Sequence, residues 1–183
     1  ALAKGARIGE PLNPFHFGFL IGPRINAGGR IGDAALGARL LTLHDINEAE
    51  AIALELDRLN AERQAMEKLM LEQAEAEVAA ELADGAGPAI IVTDNDKWHP
   101  GIVGLVAARL KEKFGRPAFA IALEPGGTGT GSGRSIPGAD LGRVVRQAVA
   151  DGLLVKGGGH AMAAGVTIRR ERLAEFRAYL ETA

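Results

Sequence analysis

The rhythm of apolar and polar positions changes twice along the chain. From Ile46 to Ala83 there is no Gly or Pro, and Ala, Leu, Glu and Met, all strong helix formers, dominate. Ile52, Leu56, Leu59, Met66 and Met70 follow a 4-3 spacing that Arg63 interrupts, with Leu69 widening the stripe. This pattern predicts a single long helix with one packing face. Asp45 and Glu48 have the spacing of a capping box, and Asn47 with Glu50 offers a second register. At ~1.5 Å per residue the helix would run for roughly 57 Å, longer than one compact domain, so it is predicted to connect two. A plain coiled coil fits less well because the seam is broken.

Beyond Gly85-Ala86-Gly87 the texture becomes α/β. Pro88–Thr93 is a short, partly β-branched apolar run and predicts a buried strand. Pro100–Phe114 predicts a helix with Pro in its first turn, Lys111 and Lys113 near its end and Gly115 as its stop. Ala118–Leu123 reads as a second strand and Gly133–Ile136 as a third. Ala139–Val149 reads as a helix, Val166–Ile168 as a short strand and Glu171–Glu181 as a closing helix. Strands alternating with helices, some joined by short connections, predict a mixed sheet flanked by helices. The expected organisation is therefore residues 1–44, a connecting helix over 45–84, and an α/β domain over 85–183.

Charge follows the same boundaries. Residues 1–44 carry +3, residues 45–84 carry −9 and residues 85–183 carry +4, so a bulk charge of −2 hides two mildly basic regions around an acidic rod. With no Cys, disulfides, thiolate metal sites and cysteine nucleophiles are excluded. Apolar runs stay well below the ~18 residues of a membrane span and no secretory signal opens the chain, so a cytoplasmic location without membrane partners is expected. The first residue is Ala1, in mid-pattern, and the chain is expected to be a fragment of something larger.

Glycine is the remaining peculiarity. Eight of the 25 lie in residues 1–37, none in 38–84 and seventeen in 85–183. They gather in four segments: Gly22–Arg30, leading into Asp33 as a helix cap; Trp98–Gly104; Gly131–Gly138; and Gly157–Gly165. Such loops let backbone N–H groups approach a phosphate, helped by an adjoining helix N-terminus. Arg24, Arg30 and Arg134 would add forked hydrogen bonds, and Ser132 and Ser135 hydroxyl donors. The plain alternative is that glycine and proline mark turns. There is no P-loop motif, and Gly127–Gly131 lacks the dinucleotide-binding register. Asp94-Asn95-Asp96 lacks the later ligands of a calcium loop and reads as a strand-end turn. The four His residues form no ligand pair. His16, between two Phe, reads as structural. His160 has no packing reason to be histidine, and Trp98 reads as a core or lid residue or as a platform for a base.

GFLIGPRINAGGRIGDA (18–34), ELDRLNAERQ (55–64), WHPGIVGLVAARL (98–110), GSGRSIPGADL (131–141) and GGGHAMAAG (157–165), in that order, resemble the bacterial RecJ family of single-strand-specific DNA exonucleases. This is a branch of the DHH/DHHA1 phosphodiesterases, and the resemblance covers nearly the whole chain. It implies a 5′→3′ exonuclease of DNA repair and recombination, in which a DHH domain holds two Mn²⁺ or Mg²⁺ ions and a long helix leads to a DHHA1 domain that grips the single strand. Neither the DHH triplet nor its Asp/His ligands occur here, so residues 1–44 are expected to be the tail of the catalytic domain. No catalytic or metal-ligating residue is expected in this chain. By position, the resemblance implies that Ser132 and Arg134 hold the 5′ phosphate. Arg30, within a segment that also carries Arg24 and Asn26, would reach that phosphate or the scissile one, and His160, beside Gly158 and Gly159, would lie against a substrate phosphate. Lys156-Gly157, where relatives commonly have an aromatic before two glycines, and Ala161, often proline, depart from the pattern. Single-stranded DNA is the expected partner, with a single-strand-binding protein or a helicase as further family partners. The alternatives are an oligoribonuclease or cyclic-dinucleotide phosphodiesterase of the same superfamily, or a non-catalytic nucleic-acid-binding module.

Overall fold

The structure, a computed structural model, describes every residue except Glu10, Asp84 and Ala86. The expected helix boundary at Asp84 and the middle of the Gly85-Ala86-Gly87 break therefore lie outside the described residues. The chain divides into two compact units, Ala1–Met66 and Glu67–Ala183.

The first unit is helical: α1 (Leu2–Gly5), a π-helical turn (His16–Ile21), α2 (Gly22–Ile31), α3 (Ala35–Thr42) and the beginning of α4 (Ile46–Ala83). The segment expected to be a glycine-rich anion-binding loop, Gly22–Arg30, is thus a helix. Pro23 sits in the first turn of α2, directly after the π-helical turn, whose last amide bond runs from Gly22 to Phe17 O. The glycines serve close packing instead: a Cβ at Gly28 would stand 3.2 Å from the Leu56 side chain, and one at Gly37 2.7 Å from that of Ile25. Asp33 accepts a hydrogen bond from the Ala35 amide at 2.8 Å, just ahead of α3. Leu40, Ile52, Ala53 and Leu56 form the core of this unit.

Helix α4 starts where the capping pattern predicts. Asp45 Oδ1 accepts from the amides of Asn47 (2.8 Å) and Glu48 (3.1 Å). The reciprocal half of the box is replaced, because the Glu48 carboxylate pairs with Arg39. Buried Leu56, Leu59, Arg63, Met70, Ala74 and Val78 continue one stripe, so Arg63 belongs to the face it was expected to interrupt. Its Nη2 donates to Asn60 Oδ1 at 3.0 Å. Leu69, expected to widen the stripe, is exposed.

In the second unit the described strands are β1 (Ile91–Asn95), β2 (Ala118–Leu123), β3 (Thr128–Arg134), β4 (Lys156–His160) and β5 (Ala163–Arg169), in the order β1-β2-β3-β5-β4. The β1–β2 pair is parallel and the other three are antiparallel, giving the expected mixed sheet. On one face, Val92, Phe119, Ile121, Leu123, Val166 and Ile168 pack with α6 (Leu141–Ala150) and α7 (Leu173–Thr182). Helix α5 (Val103–Phe114) packs on β2 and β3 from the other face and ends on Gly115, whose φ of 65° suits glycine.

Several boundaries differ from the sequence expectation. β1 lies later than Pro88–Thr93, because Pro88 precedes the ladder and the first rung pairs Ile91 with Ala118. The third strand is Thr128–Arg134, not Gly133–Ile136. At Ser135 the amide turns to Met162 O and the hydroxyl to Ala139 O, which takes the chain out of the sheet. Lys156–His160, expected as a loop, is an edge strand. The helices start at Val103, Leu141 and Leu173, later than expected; α6 starts there because Asp140 Oδ1 caps the Arg143 amide at 2.9 Å. No described helix is long and apolar enough to cross a membrane.

Candidate phosphate-binding face of the sheet

Side chains of a strand alternate between two faces. In β3 this sends Gly129, Gly131 and Gly133 toward the α6–α7 core and Thr128, Thr130, Ser132 and Arg134 to the α5 face. The glycines are required by packing: a Cβ at Gly131 would stand 2.8 Å from both Ile121 and Val166, and one at Gly133 would overlap the Phe119 ring. The GSGR segment therefore combines two duties on alternate residues.

On the α5 face Arg134 Nη1 donates to Ser132 Oγ at 2.7 Å and to Gly133 O at 2.8 Å. Above them lies Gly104, in the first turn of α5. A Cβ there would stand 2.9 Å from Arg134 Nη2 and 3.2 Å from Ser132 Oγ. A guanidinium, a hydroxyl and the positive end of a twelve-residue helix thus share one corner, the chemistry that favours a phosphate.

The register carries this corner across the sheet. Arg134 pairs with Ala163 and Ala163 with His160; Ser132 pairs with Gly165 and Gly165 with Gly158. Arg134 and His160 consequently lie in one row on one face, with β5 between them. The backbone of His160 is held from behind by α6. Gly142 allows His160 Cα to approach, since a Cβ there would stand 2.9 Å from it. Arg146 Nη1 donates to Gly159 O at 3.0 Å, and the Leu141 amide to Ala161 O at 3.1 Å. Gly159 itself has φ 155° and no room for a side chain. The imidazole is exposed, and its Nδ1 accepts from the Met162 amide at 3.4 Å. In the neutral ring the proton then sits on Nε2, making the outward nitrogen a donor.

Of the residues singled out in the sequence, Ser132, Arg134, Gly158, Gly159 and His160 belong to the second unit and share this face or its edge strand. Arg24, Asn26 and Arg30 belong to α2 in the first unit. Arg24 is tied down there, with Nε on Asp57 Oδ1 and Nη1 on Leu20 O, both at 2.7 Å; Asn26 is exposed and Arg30 half-buried in the last turn. Trp98 is buried, with Nε1 donating to Gln73 Oε1 at 2.8 Å, so it packs rather than offering a stacking surface. His16 exchanges hydrogen bonds with Asn13 in a local turn. Asn95 Oδ1 accepts from the Lys97 amide, the strand-end turn expected there, and Asp94 pairs with Arg177. Gly104 closes the Trp98–Gly104 segment that the sequence offered for phosphate approach, but its place beside Ser132 and Arg134 was not read there. Its signal was a glycine one turn into an otherwise good helix, which costs stability unless something approaches closely.

Residues 87–183 match the DHHA1 domain model, and the chain belongs to the DHHA1 domain family. It is homologous to part of the single-stranded-DNA-specific exonuclease RecJ of Salmonella typhimurium, with 39% identity over 165 residues, covering 87% of this chain and 28% of that protein. Crystal structures of RecJ from Thermus thermophilus in complex with Mg²⁺ and with Mn²⁺ are also similar. They superpose with TM-scores of 0.81 and 0.84 at 36% and 35% identity, over 99% of this chain and 27% and 26% of theirs.

Proposed function

We propose that this chain is the strand-gripping portion of a RecJ-type exonuclease, and that Ser132 and Arg134 hold the 5′-terminal phosphate of single-stranded DNA. The observation that carries this reading is the Ser132–Arg134 pair set against Gly104, at a place where any larger side chain would fill the space. His160 donates from Nε2 to a phosphate of the same strand, while Gly158 admits the strand close to the backbone and Gly159 lets β4 close on β5. In this reading residues 1–44 end a catalytic domain, 45–84 connect, and 85–183 bind substrate. Arg30 and Asn26 of the first unit are assigned to substrate phosphate, and Arg24 fixes α2 through Asp57.

Phosphodiester hydrolysis would draw on two divalent ions, which would supply an activated water and neutralise phosphate charge. Among the described residues no group of three or more His, Asp or Glu side chains is placed to hold such an ion. These residues do not fit a Mn²⁺ or Mg²⁺ centre, and none of their proposed roles runs through one. Their part is to bind, orient and neutralise. The protein acts in the cytoplasm, where a single-strand-binding protein or a helicase delivers its strand.

The test compares 5′-phosphorylated with 5′-hydroxyl oligonucleotides. The wild-type chain is expected to prefer the phosphorylated strand, and Arg134→Ala to lose about tenfold or more of that preference, the range of a charge-assisted hydrogen bond. Full discrimination by Arg134→Ala would overturn the assignment. Incubated alone with single-stranded DNA and Mn²⁺, the chain is expected to release no nucleotides; robust release by a clean preparation would refute that.

A further inference from the structure

We infer that the open half of this sheet face is a second nucleotide subsite, in which Gly158 and Gly165 form the floor and Lys156 takes the next phosphate. This deepens the reading above and rests on it for the chemistry of the ligand.

Glycine within a strand costs stability and calls for a reason. Most glycines of this sheet have an internal one. Gly129, Gly131 and Gly133 are crowded by core side chains, Gly157 by Val145, and Gly159 by β5. Gly158 and Gly165 have none. They are a cross-strand pair, a Cβ at either would meet nothing within 4 Å, and neither has positive φ. Nothing inside the protein demands glycine at these adjacent positions. A ligand pressed flat against the backbone does.

The surroundings fit a nucleotide. Gly158 and Gly165 continue the row of Ser132, and the next row joins Thr130, Thr167 and Lys156. Successive same-face rows are ~6.8 Å apart and neighbouring strands ~4.8 Å. Lys156 thus stands two strands over and one row along from Ser132, roughly 12 Å from it along the sheet, with the glycine floor between. A groove of about 490 Å³ occupies this space, lined among others by Thr130, Lys156, Gly158, Gly165 and Thr167. Lys156 is the cation of that lining. Thr130 donates its hydroxyl to Glu124 Oε1 at 3.4 Å, so the charge available to a phosphate there is the Lys156 ammonium, assisted by the Thr167 hydroxyl. A sugar and base lie on the floor, with one phosphate on Ser132–Arg134 and the next on Lys156.

The space above Gly165 makes the test clean. Gly165→Val should fold at least as well as wild type, because a β-branched residue suits a strand and its Cβ meets nothing within 4 Å. Binding of 5′-phosphorylated oligothymidylates of one, two and four nucleotides is measured for wild type, Gly165→Val, Lys156→Ala and Arg134→Ala, with thermal melts alongside. Expected are an unchanged or higher melting temperature with at least tenfold weaker binding for Gly165→Val. For Lys156→Ala the gain in affinity from one to four nucleotides should shrink, and the salt slope should fall by about 0.7, the value of one phosphate contact on a single strand. If both variants bind like wild type while Arg134→Ala loses the preference for a 5′ phosphate, the subsite is refuted and the 5′-phosphate reading stands. If Arg134→Ala keeps that preference while the other two lose binding, the subsite stands and the corner assignment falls. Absence of binding by the wild-type chain would overturn both.

Discussion

The two faces of β3 are built from the same seven residues to opposite ends. Toward α6 and α7, three glycines vanish beneath Phe119, Ile121 and Val166, and the large side chains of neighbouring strands fill the volume. Toward α5, every residue carries a polar group, and the corner at Ser132 and Arg134 is left half-open. The first face is dry and tolerates no added atom. The second leaves room. A glycine is thus a packing device on one side of the sheet, while on the other side, at Gly158 and Gly165, it has no packing explanation. A glycine-rich segment says nothing about phosphate until the face of each glycine is known.

Substitutions should separate the two faces by size of effect. The largest is expected from Phe176→Ala on the packed side, since Phe176 is fully buried with its ring 5.5 Å from that of Phe119; about 3–5 kcal/mol of stability should be lost in denaturant titration. Gly133→Ala should cost about 1–3 kcal/mol by overpacking against Phe119, and combining it with Phe119→Leu should recover part of the loss. An additive double variant would show that the crowding lies elsewhere. Asp140→Ala, which uncaps α6 behind His160, should cost ~1 kcal/mol. On the open side Ser132→Ala should change stability by about 1 kcal/mol or less while weakening the preference for a 5′ phosphate. A Ser132→Ala protein as destabilised as Gly133→Ala would erase the contrast between the faces.

The smallest effect concerns pH. Glu77 on α4 lies with Glu81 and Asp94 around one guanidinium, that of Arg177, at 3.2, 3.4 and 2.9 Å. Burial pushes the Glu77 carboxyl above its usual range against the attraction of Arg177, and Asp94 and Glu81 push the same way. The folded state therefore holds this proton more tightly than the unfolded chain. Its contribution to stability is fully present below the ordinary Glu value of 4.5 and fades as pH rises through the raised folded value. Glu77→Gln should flatten the stability profile in that window, leaving Arg177 its bonds to Glu81 and Asp94. An unchanged profile would remove Glu77 as its source.

The long helix was legible because a stretch without Gly or Pro, opened by Asp45, leaves few alternatives. The core strand Ala118–Leu123 was legible because burial on both faces writes a continuous apolar run. β4 was not. Lys156-Gly157-Gly158-Gly159-His160 has no strand propensity, and it is held in the ladder by β5 and by α6 packing through Gly142, contacts remote in sequence. The helix α2 was hidden in the same way, since its stability comes from close approach to α3 and α4, not from the propensities of Gly and Pro. Ser132, Arg134 and His160 stood out individually by residue type. That Arg134 and His160 share a row needed the strand order, because β5 intervenes in space although β4 precedes it in sequence.

The composition and position of β4 also bear on motion. It is an edge strand, largely exposed, and three of its five residues are glycine. Ordering glycine gives up more backbone entropy than ordering any other residue, and edge segments with little burial are the first to open in native-state hydrogen exchange. The amides of residues 156–160 should thus exchange sooner than those of β2 or β3. A nucleotide laid on this strand would then be registered as slowed exchange along it, so that occupancy of the face and local folding of its rim become a single equilibrium.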